Sequence, residues 1–320
     1  MKRILITGGS GYLGALLVRA LRAQYEVAVL GRNAGPTGSA WFECDIRDAA
    51  ATSAVLREYA PDVVIHCAAL SKLHECAERP LDCHAVNVTG SANVASAAID
   101  SGASAVIGLS SDRVHQRDEN VYGHSKSEME QLFAELGRTQ SATAFVSTRL
   151  GKVPGGPGSF LDHWSAAFRR DGVIRSTGPD HESFFLPPAA FVQHIALLIE
   201  RASEWTGLVH VPDHKAARLR DILDVWIAEY GGNWEDDSEG PAPANSSVLI
   251  SADESMRTRH EFSGELGFSL IGHESPGEAN PRGALMTVDV PTLTSNEILG
   301  LIRTQDVERR VREERPHDRD

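Results

Sequence analysis

A glycine-rich segment near the start of the chain constrains its fold more than any other feature. Residues 8–14 read Gly-Gly-Ser-Gly-Tyr-Leu-Gly and directly follow the short apolar run Arg3–Thr7. Glycines at this spacing, between a strand and a helix, permit a tight turn, close approach of the backbone to a pyrophosphate, and close helix–strand packing. The helix that follows presents aligned N–H groups to the anion. The segment predicts a dinucleotide-binding loop, with contacts from Gly8, Gly11, Tyr12, Leu13 and Gly14.

Apolar residues over the first half of the chain follow the pattern of strands that alternate with helices. Near-continuous apolar runs predict strands at residues 3–7, 26–30, 41–43, 63–66, 105–109 and 143–148. Segments with helical periodicity lie between them, at residues 12–23, 49–59, 80–101 and 121–136. Strands that are hydrophobic on both faces and separated by helices form parallel sheets covered on both sides. The predicted fold class is therefore α/β, with a Rossmann-type doubly wound parallel sheet.

The regularity of this pattern weakens after Arg149, which sets the predicted domain boundary. Residues 1–150 are expected to form the NAD(P)-binding domain. Residues 151–302 begin with a Gly/Pro loop and contain further helical segments, and they are expected to form a smaller C-terminal α/β substrate-binding region. Residues 303–320 are almost wholly charged or polar, so they are predicted to be a disordered tail.

The composition excludes several classes of function. A net charge of −13 argues against a nucleic-acid partner, because phosphate backbones are bound by clustered Lys and Arg. No apolar run reaches the roughly 18 residues that a membrane helix needs, so neither a membrane span nor secretion is expected. The four cysteines form no Cys-x-x-Cys pair, which predicts reduced thiols and a cytoplasmic location. His66, His74 and His84 lack the spacing of metal ligands, and no metal site is predicted.

Tyr122 and Lys126 are four residues apart, so they lie on one face of a predicted helix. An ammonium beside a phenol favours the phenolate, so Lys126 is predicted to lower the pKa of Tyr122 from roughly 10 and make it a base. Ser111, at the end of a predicted strand, can hydrogen-bond the same substrate oxygen. This spacing alone occurs by chance in many helices, but in a chain with the glycine loop it predicts a hydride-transfer site.

The residue at the end of the second strand bears on which dinucleotide binds. NAD-binding chains commonly carry an acidic residue there, whereas this chain has Arg32, which suits a 2′-phosphate better. We therefore favour NADP, with NAD as the alternative. Asp45, after the short strand at 41–43, can accept a hydrogen bond from the adenine amino group or can cap the next helix.

Together these motifs resemble an extended short-chain dehydrogenase/reductase. Within that superfamily the chain is most similar to the polysaccharide-biosynthesis branch of nucleotide-sugar 4,6-dehydratases and 5-epimerases. That branch reads Ser-Thr-Asp-Lys at the strand end and Val-Tyr-Gly-Ala-Thr-Lys on the helix. Here residues 110–113 read Ser-Ser-Asp-Arg and residues 121–126 read Val-Tyr-Gly-His-Ser-Lys. His66-Cys67-Ala68-Ala69 and a Val-Asn-Val segment that contains Asn87 extend the resemblance over most of the chain.

The resemblance implies specific roles. Tyr122 would be the base toward a sugar hydroxyl, Lys126 would bind the cofactor ribose, and Ser111 and Asp112 would complete the catalytic set. Further cofactor contacts are expected from Ile46, Ala68 and Ala69. The substrate would be a nucleotide sugar, and the chain is expected to form a homodimer or higher homo-oligomer. Candidate substrate-binding residues are Lys72, Arg113, Arg149, Gly151 and Ser159.

One departure from the family pattern affects the predicted reaction. Relatives carry a lysine after the aspartate to handle the C5 proton, whereas this chain has Arg113. A guanidinium with a pKa above about 12 cannot shuttle protons at neutral pH, although it can stabilise an enolate or bind an anionic group. Arg113 therefore argues against the elimination of water across C5 and C6 of the sugar.

Three hypotheses follow from these patterns. The first is an NADP-dependent enzyme that oxidises a nucleotide-linked sugar transiently at C4 and then dehydrates or epimerises it. The second is a reductase that consumes NADPH to reduce a 4-keto sugar. The third is a non-catalytic subunit that binds the dinucleotide and regulates or supports a partner.

Overall fold

A computed structural model describes residues 1–36, 38–115, 120–156, 159–176, 178–237, 248–255, 257–272, 285–286 and 290–303. The strands within these ranges are β1 (Arg3–Thr7), β2 (Glu26–Gly31), β3 (Ala40–Glu43), β4 (Val63–His66), β5 (Ala105–Ser111), β6 (Ala144–Leu150), β7 (Val173–Ser176), β8 (Glu182–Phe185), β9 (Val209–Pro212), β10 (Lys215–Arg218), β11 (Asn233–Asp236), β12 (Val248–Ile250), β13 (Thr258–Ser263), β14 (Leu266–Ile271) and β15 (Leu285–Met286). The α-helices are α1 (Tyr12–Leu21), α2 (Ala49–Tyr59), α3 (Leu73–Glu78), α4 (Pro80–His84), α5 (Gly90–Ser101), α6 (Val121–Thr139), α7 (Phe160–Asp171), α8 (Pro188–Arg201), α9 (Leu219–Tyr230), α10 (Ala252–Ser255) and α11 (Ser295–Ile302).

The main sheet confirms the predicted α/β class. Its nine strands run in the order β13-β14-β9-β6-β5-β4-β1-β2-β3, and the seven from β9 to β3 are parallel. The order 3-2-1-4-5-6 within it is that of doubly wound dinucleotide-binding sheets. The hairpin of β13 and β14 adds two antiparallel strands beside β9 that the sequence did not predict.

Burial on both faces explains why the central strands are so hydrophobic. Every residue of β4 and of β6 is buried, and the four residues that follow Arg3 in β1 are buried as well. Helices α2 and α5 pack together on one side, and a continuous core joins them to the strands and to α6. Helix α2 begins where predicted because the Asp48 side chain accepts a hydrogen bond from the Ala51 amide at 2.9 Å.

The chain forms two compact units, and the first segment of the first unit ends at Leu150. The first unit, however, also contains residues 189–213 and 248–285. This differs from the predicted single boundary because β9 pairs with β6 and so returns the chain to the main sheet. Residues 304–320 of the predicted tail lie outside the described residues.

The second unit has its own sheets and its own core. Strand β8 pairs with β10 in antiparallel fashion, and β7 pairs with β11 in parallel. Helices α7, α9 and α11 supply most of the core, with Leu161, Trp164, Ile222, Leu223, Trp226, Ile298 and Ile302 among its buried side chains.

The helix predicted over residues 80–101 is interrupted. Helix α4 ends at His84, residues Ala85–Thr89 form a π-helical turn, and α5 begins at Gly90. The wide turn contains Asn87, which is completely buried. A polar side chain without exposure needs hydrogen-bond partners, and the turn brings Asn87 to them, as described below.

Candidate active site

The glycine loop has the tight geometry that its sequence predicts. Gly8 has φ +68°, a conformation that favours glycine, and a Cβ there would lie 2.7 Å from the Ala68 Cα. A Cβ at Gly14 would lie 2.5 Å from the Gly8 carbonyl oxygen. Helix α1 then begins at Tyr12 with no acidic residue in its first turn. The loop therefore packs against the end of β4 and leaves the start of α1 suited to an anion.

The residues predicted to contact the adenosine lie at the ends of β2 and β3. Arg32 is exposed, and its charge contributes to lowering the pKa of Asp45, after the larger effect of the Arg47 hydrogen bond. Asp45 accepts from the Arg47 guanidinium at 2.6 Å, and Asp48 caps α2 instead. The alternative in which Asp45 caps that helix is therefore wrong. Ile46 is buried beneath Gly90.

The end of β4 is fixed by a chain of buried hydrogen bonds. The Thr7 hydroxyl lies 2.8 Å from His66 Nδ1, and His66 Nε2 lies 2.9 Å from the Ser91 hydroxyl. Burial, with a smaller effect of the Lys126 charge, lowers the pKa of His66 to about 3, so the imidazole is neutral. Thr7 also accepts from the Ala68 amide at 3.2 Å. Ala68 and Ala69 therefore follow a rigid strand end beside the glycine loop.

Ser111, Tyr122 and Lys126 come together at the same end of the sheet. Ser111 is the last residue of β5, and helix α6, which carries the other two, begins where the Asn120 side chain caps the Gly123 amide at 3.0 Å. The Ser111 side chain acts to lower the pKa of Tyr122, which places the two side chains near each other. Lys126 is buried, and its Nζ donates to the Leu109 carbonyl at 2.9 Å.

The predicted lowering of the Tyr122 pKa is wrong for this structure. Burial raises the pKa of Tyr122, and the Asp112 charge raises it further, against a lowering effect of the Ser111 hydrogen bond. Burial also lowers the pKa of Lys126 to about 8, so the ammonium form still predominates at neutral pH. Tyr122 is therefore a phenol at neutral pH.

Asp112 and Arg113 follow Ser111 in a short 3-10 turn, residues Asp112–His115. Asp112 is buried and accepts from the Ser111 hydroxyl at 3.1 Å. The Arg113 amide lies 3.3 Å from the Ser111 Oγ, and its guanidinium charge acts to lower the Tyr122 pKa. Within the described part of the chain, the Arg113 guanidinium makes no hydrogen bond or ion pair. It is therefore available to a negatively charged group.

Asn87 links the loop after β4 to α6, a role that the sequence resemblance did not assign. Its Oδ1 accepts from the Leu70 amide at 2.8 Å, and its Nδ2 donates to the Leu70 carbonyl at 3.0 Å. The same Nδ2 donates to the Ser125 hydroxyl at 2.9 Å. No local pattern identifies these partners, which lie 17 and 38 residues away.

Arg149 is committed to a buried cluster at the end of β6. Its guanidinium donates to Glu130 at 3.0 Å and 2.5 Å, to Glu254 at 3.0 Å and 3.1 Å, and to the Leu249 carbonyl at 2.7 Å. His115 Nε2 also lies 2.7 Å from Glu254. Since all the guanidinium N–H directions meet acceptors, Arg149 is better suited to hold the segment around Glu254 than to bind substrate as predicted.

The other predicted substrate-binding residues have structural partners. Lys72 is exposed and pairs with Glu75 at 2.7 Å. In the second unit, the Gly151 amide donates to His214 Nε2 at 2.9 Å, and a Cβ at Gly151 would lie 2.6 Å from the Phe184 carbonyl oxygen. The Ser159 hydroxyl caps α7 by accepting from the Asp162 amide at 3.3 Å. Substrate contacts by these three residues stay predictions.

The described side chains include no group of three or more His, Cys, Asp or Glu that is suited to hold a metal ion. None of the helices in the described ranges combines the length and the hydrophobicity that a membrane span requires.

Comparison with known protein families identifies the group to which this site belongs. Residues 38–239, more than half of the chain, match the polysaccharide biosynthesis protein family. The chain belongs to this family. The resemblance predicted from the Ser110–Lys126 motifs is thereby confirmed.

Curated relatives of this family member include dehydratases and epimerases. UDP-N-acetylglucosamine 4,6-dehydratase (inverting) of Campylobacter jejuni is 30% identical over 175 residues, which are 50% of this chain and 52% of that protein. UDP-glucose 4-epimerase of Rickettsia felis is 28% identical over 250 residues, 72% of this chain and 72% of that protein. The probable polysaccharide biosynthesis protein EpsC of Bacillus subtilis is 28% identical over 58% of this chain. The chain spans 33% of EpsC, so it matches about a third to a half of the length of two of these relatives.

Solved structures confirm the fold of this family member. The structure of Pen from Bacillus thuringiensis superposes with a TM-score of 0.81, over 96% of this chain and 98% of that one, at 23% identity. UDP-glucose 4-epimerase of Thermus thermophilus, solved in complex with NAD, gives a TM-score of 0.65 over 76% and 88% of the two chains, at 22% identity. At these identities the likeness concerns the fold alone.

Proposed function

We propose that this protein acts on a nucleotide-linked sugar through transient oxidation at C4, and that it then dehydrates the sugar across C5 and C6 or epimerises it. The observation that carries the proposal is the convergence of Ser111, Tyr122 and Lys126 at the end of the sheet where the glycine loop lies. The family and the dehydratase and epimerase relatives support the same substrate class.

The residues around the glycine loop fit a dinucleotide. Side chains at Gly8 and Gly14 would collide with neighbouring backbone, so the loop is packed as closely as pyrophosphate binding needs. A cavity of about 440 Å³ beside Ser10 is lined by Arg19 and Arg22. The exposed Arg32 at the end of β2 supports NADP over NAD. NAD stays the alternative, since it is bound in the Thermus epimerase structure. When bound, the nicotinamide would supply hydride transfer to and from C4.

The side chains of this chain would handle the proton. Ser111 would hydrogen-bond the C4 oxygen, and Tyr122 would exchange a proton with it. Asp112 would serve as a second acid or base, held by the Ser111 hydroxyl at 3.1 Å. Arg113 would stabilise negative charge at a C5 enolate or bind an anionic group, because a guanidinium cannot carry the proton itself.

A second candidate function is reduction of a 4-keto sugar at the expense of NADPH. The raised pKa of Tyr122 favours it, because a phenol that keeps its proton at neutral pH is suited to protonate a ketone oxygen.

Cofactor stoichiometry separates the two reactions. The purified protein is incubated with UDP- and dTDP-linked sugars and a trace of NADP, and products are followed by NMR. A dehydratase or epimerase turns over many substrates per cofactor. In D₂O, dehydration and epimerisation at C5 incorporate deuterium at C5, whereas epimerisation at C4 does not. A reductase instead consumes NADPH in proportion to product from a 4-keto sugar. Such deuterium incorporation would also exclude the non-catalytic subunit.

The variant Tyr122→Phe tests the site itself. We expect it to lower turnover by about 10²–10⁴-fold without loss of cofactor binding. Tyr25→Phe is the matched control, because the Tyr25 hydroxyl pairs with Glu200 at the surface, away from the site. A protein that binds neither NADP nor NAD, and whose Tyr122→Phe variant equals wild type on every nucleotide sugar tried, would contradict the proposal.

A further inference from the structure

Two of the four cysteines lie in direct contact beside the candidate active site. Cys76 on α3 and Cys83 on α4 are both completely buried, and their Sγ atoms lie 2.9 Å apart. Both are free thiols in the structure. A disulfide has an S–S length of about 2.05 Å, so the two sulfur atoms need to close by only about 1 Å to form one.

The helices that carry the pair can accommodate such a movement. Helix α3 ends at Glu78 and α4 begins at Pro80, so Arg79 alone joins two helices of six and five residues. A short movement of either helix changes the sulfur–sulfur distance without displacing a strand of the main sheet. The spacing of seven residues between the cysteines gave no signal of this contact in the sequence.

We propose that Cys76 and Cys83 are a modification site, at which a peroxide oxidises the two thiols to a reversible intramolecular disulfide. One thiol is first oxidised by hydrogen peroxide to a sulfenic acid, with release of one water. The second sulfur then attacks the sulfenic sulfur, the S–O bond breaks, and a second water leaves as the S–S bond forms. A thiol reductant reverses the reaction by thiol–disulfide exchange.

The pKa of the thiols determines the rate of this oxidation. Burial, together with the neighbouring Cys83, raises the pKa of Cys76 to about 12, so little of the reactive thiolate is present at neutral pH. The oxidation is therefore slow, and it accelerates as the pH rises. A small oxidant such as hydrogen peroxide reaches buried thiols more readily than a bulky reagent.

Oxidation would also change contacts that support the candidate site. The Cys76 thiol donates to the Leu70 carbonyl at 3.3 Å, and the Cys83 thiol lies 3.7 Å from the Ser125 hydroxyl. A disulfide has no S–H group, so both contacts lose their donor. The pair thus connects the redox state of the protein to the loop after β4 and to α6.

Peptide mapping of the intact, full-length protein tests the proposal and does not depend on the proposed function. Trypsin releases both cysteines in one peptide, residues 73–113, because the bond between Arg79 and Pro80 resists cleavage. After hydrogen peroxide treatment and thiol blocking, we expect this peptide to lose the mass of two hydrogen atoms. Dithiothreitol should restore the mass. Cleavage after Glu78 should give two fragments, one with each cysteine, that stay joined by the disulfide until dithiothreitol is added.

Variants make the outcome specific. Cys44→Ser, at a buried cysteine that contacts Thr52, should behave as wild type, whereas Cys83→Ser and Cys83→Ala should abolish the mass loss while their circular dichroism stays native. Four titratable thiols in the unfolded protein after treatment would overturn the proposal. So would oxygen adducts on Cys76 or Cys83 without a mass loss, or a bridge that includes Cys44 or Cys67.

Discussion

Arg32 is the exposed side chain that we predict to determine whether NADP or NAD binds. Within the described ranges its guanidinium makes no hydrogen bond or ion pair, and it lies near the Asp45 carboxylate at the end of the sheet. A guanidinium in that position has the donors that a 2′-phosphate accepts.

We expect Arg32→Ala to weaken NADP binding about 10–100-fold and to leave NAD binding unchanged, because hydrogen bonds to charged groups contribute about 1.5–3 kcal/mol. Calorimetric titration with each dinucleotide measures this. Arg57→Ala, at an exposed arginine of α2, is the control. Equal losses for NADP and NAD would contradict the assignment of Arg32 to the 2′-phosphate.

His66 makes the stability of the protein depend on pH. Burial lowers its pKa from 6.5 to about 3. Below pH 6.5, His66 is therefore protonated in the unfolded chain but stays neutral in the folded protein until the pH approaches 3. The stabilisation is therefore present above the unfolded value and is lost as the pH falls, by about 1.4 kcal/mol per pH unit. Urea unfolding between pH 6.5 and about pH 5 should show a shallower dependence for His66→Gln than for wild type.

His124→Gln, at an exposed histidine of α6, should keep the wild-type slope. His210, whose pKa burial also lowers well below its ordinary value, adds the same component to all three proteins. Identical slopes for His66→Gln and wild type would show that His66 takes up its proton in the folded state.

Among the secondary-structure elements, the junction of β1, α1 and β4 depends on Gly8 for two reasons. Gly8 adopts φ +68°, and it also lies against the Ala68 backbone. Gly102, at the end of α5, has a similar φ of +76° but open space around it. A comparison of substitutions at Gly8 and Gly102 therefore distinguishes the cost of backbone strain from the cost of steric collision.

We expect Gly102→Ala to cost about 1–2 kcal/mol of unfolding free energy through strain alone. Gly8→Ala should cost more, and it should lower dinucleotide affinity at least tenfold, because the new methyl group displaces the loop from the end of β4. Urea unfolding and dinucleotide titration measure the two effects. If Gly8→Ala binds the dinucleotide as wild type does, the loop is not the binding element.

The cluster around Arg149 ties α6, β6 and α10 together. Replacing a buried arginine leaves its partner carboxylates, Glu130 and Glu254, buried without a counter-charge, which costs about 3–5 kcal/mol. Arg149→Met should show this loss in chemical unfolding. Arg138→Met, which removes an exposed pair with Glu135 on α6, should cost at most about 1 kcal/mol. Similar costs for the two variants would mean that the cluster contributes little.

In the molecule as a whole, the features that the sequence predicts correctly are those with a local residue pattern. Strands β1, β4, β5 and β6 are recognisable because they are hydrophobic on both faces, and the glycine loop because its geometry needs glycine. The partners of Arg149 could not be predicted, since Glu254 lies 105 residues away and no pattern joins them. The prediction that the pKa of Tyr122 is lowered was wrong for a related reason, because burial depends on the complete fold and here raises that pKa.

The oligomeric state of the whole protein is also a prediction. We propose a homodimer whose interface includes α4 and α6, where the Leu81 side chain of α4 is 85% exposed. Sedimentation should give a dimer for wild type and a monomer for Leu81→Asp. Phe262→Asp, at an exposed position of β13, should stay dimeric. A monomeric wild type, or dissociation by Phe262→Asp instead, would contradict this interface.

The π-helical turn at Ala85–Thr89 has a consequence for how related sequences align. Each residue of an α-helix rotates the next by about 100°, so a turn that holds one residue more than an α-helical turn shifts the register of everything after it. Deleting one residue there would restore a continuous helix from Pro80 to Ser101 and turn the Asn87 side chain away from Leu70 and Ser125. A relative with a one-residue gap at this point is therefore expected to lack the buried asparagine link, even where its tyrosine and lysine are intact.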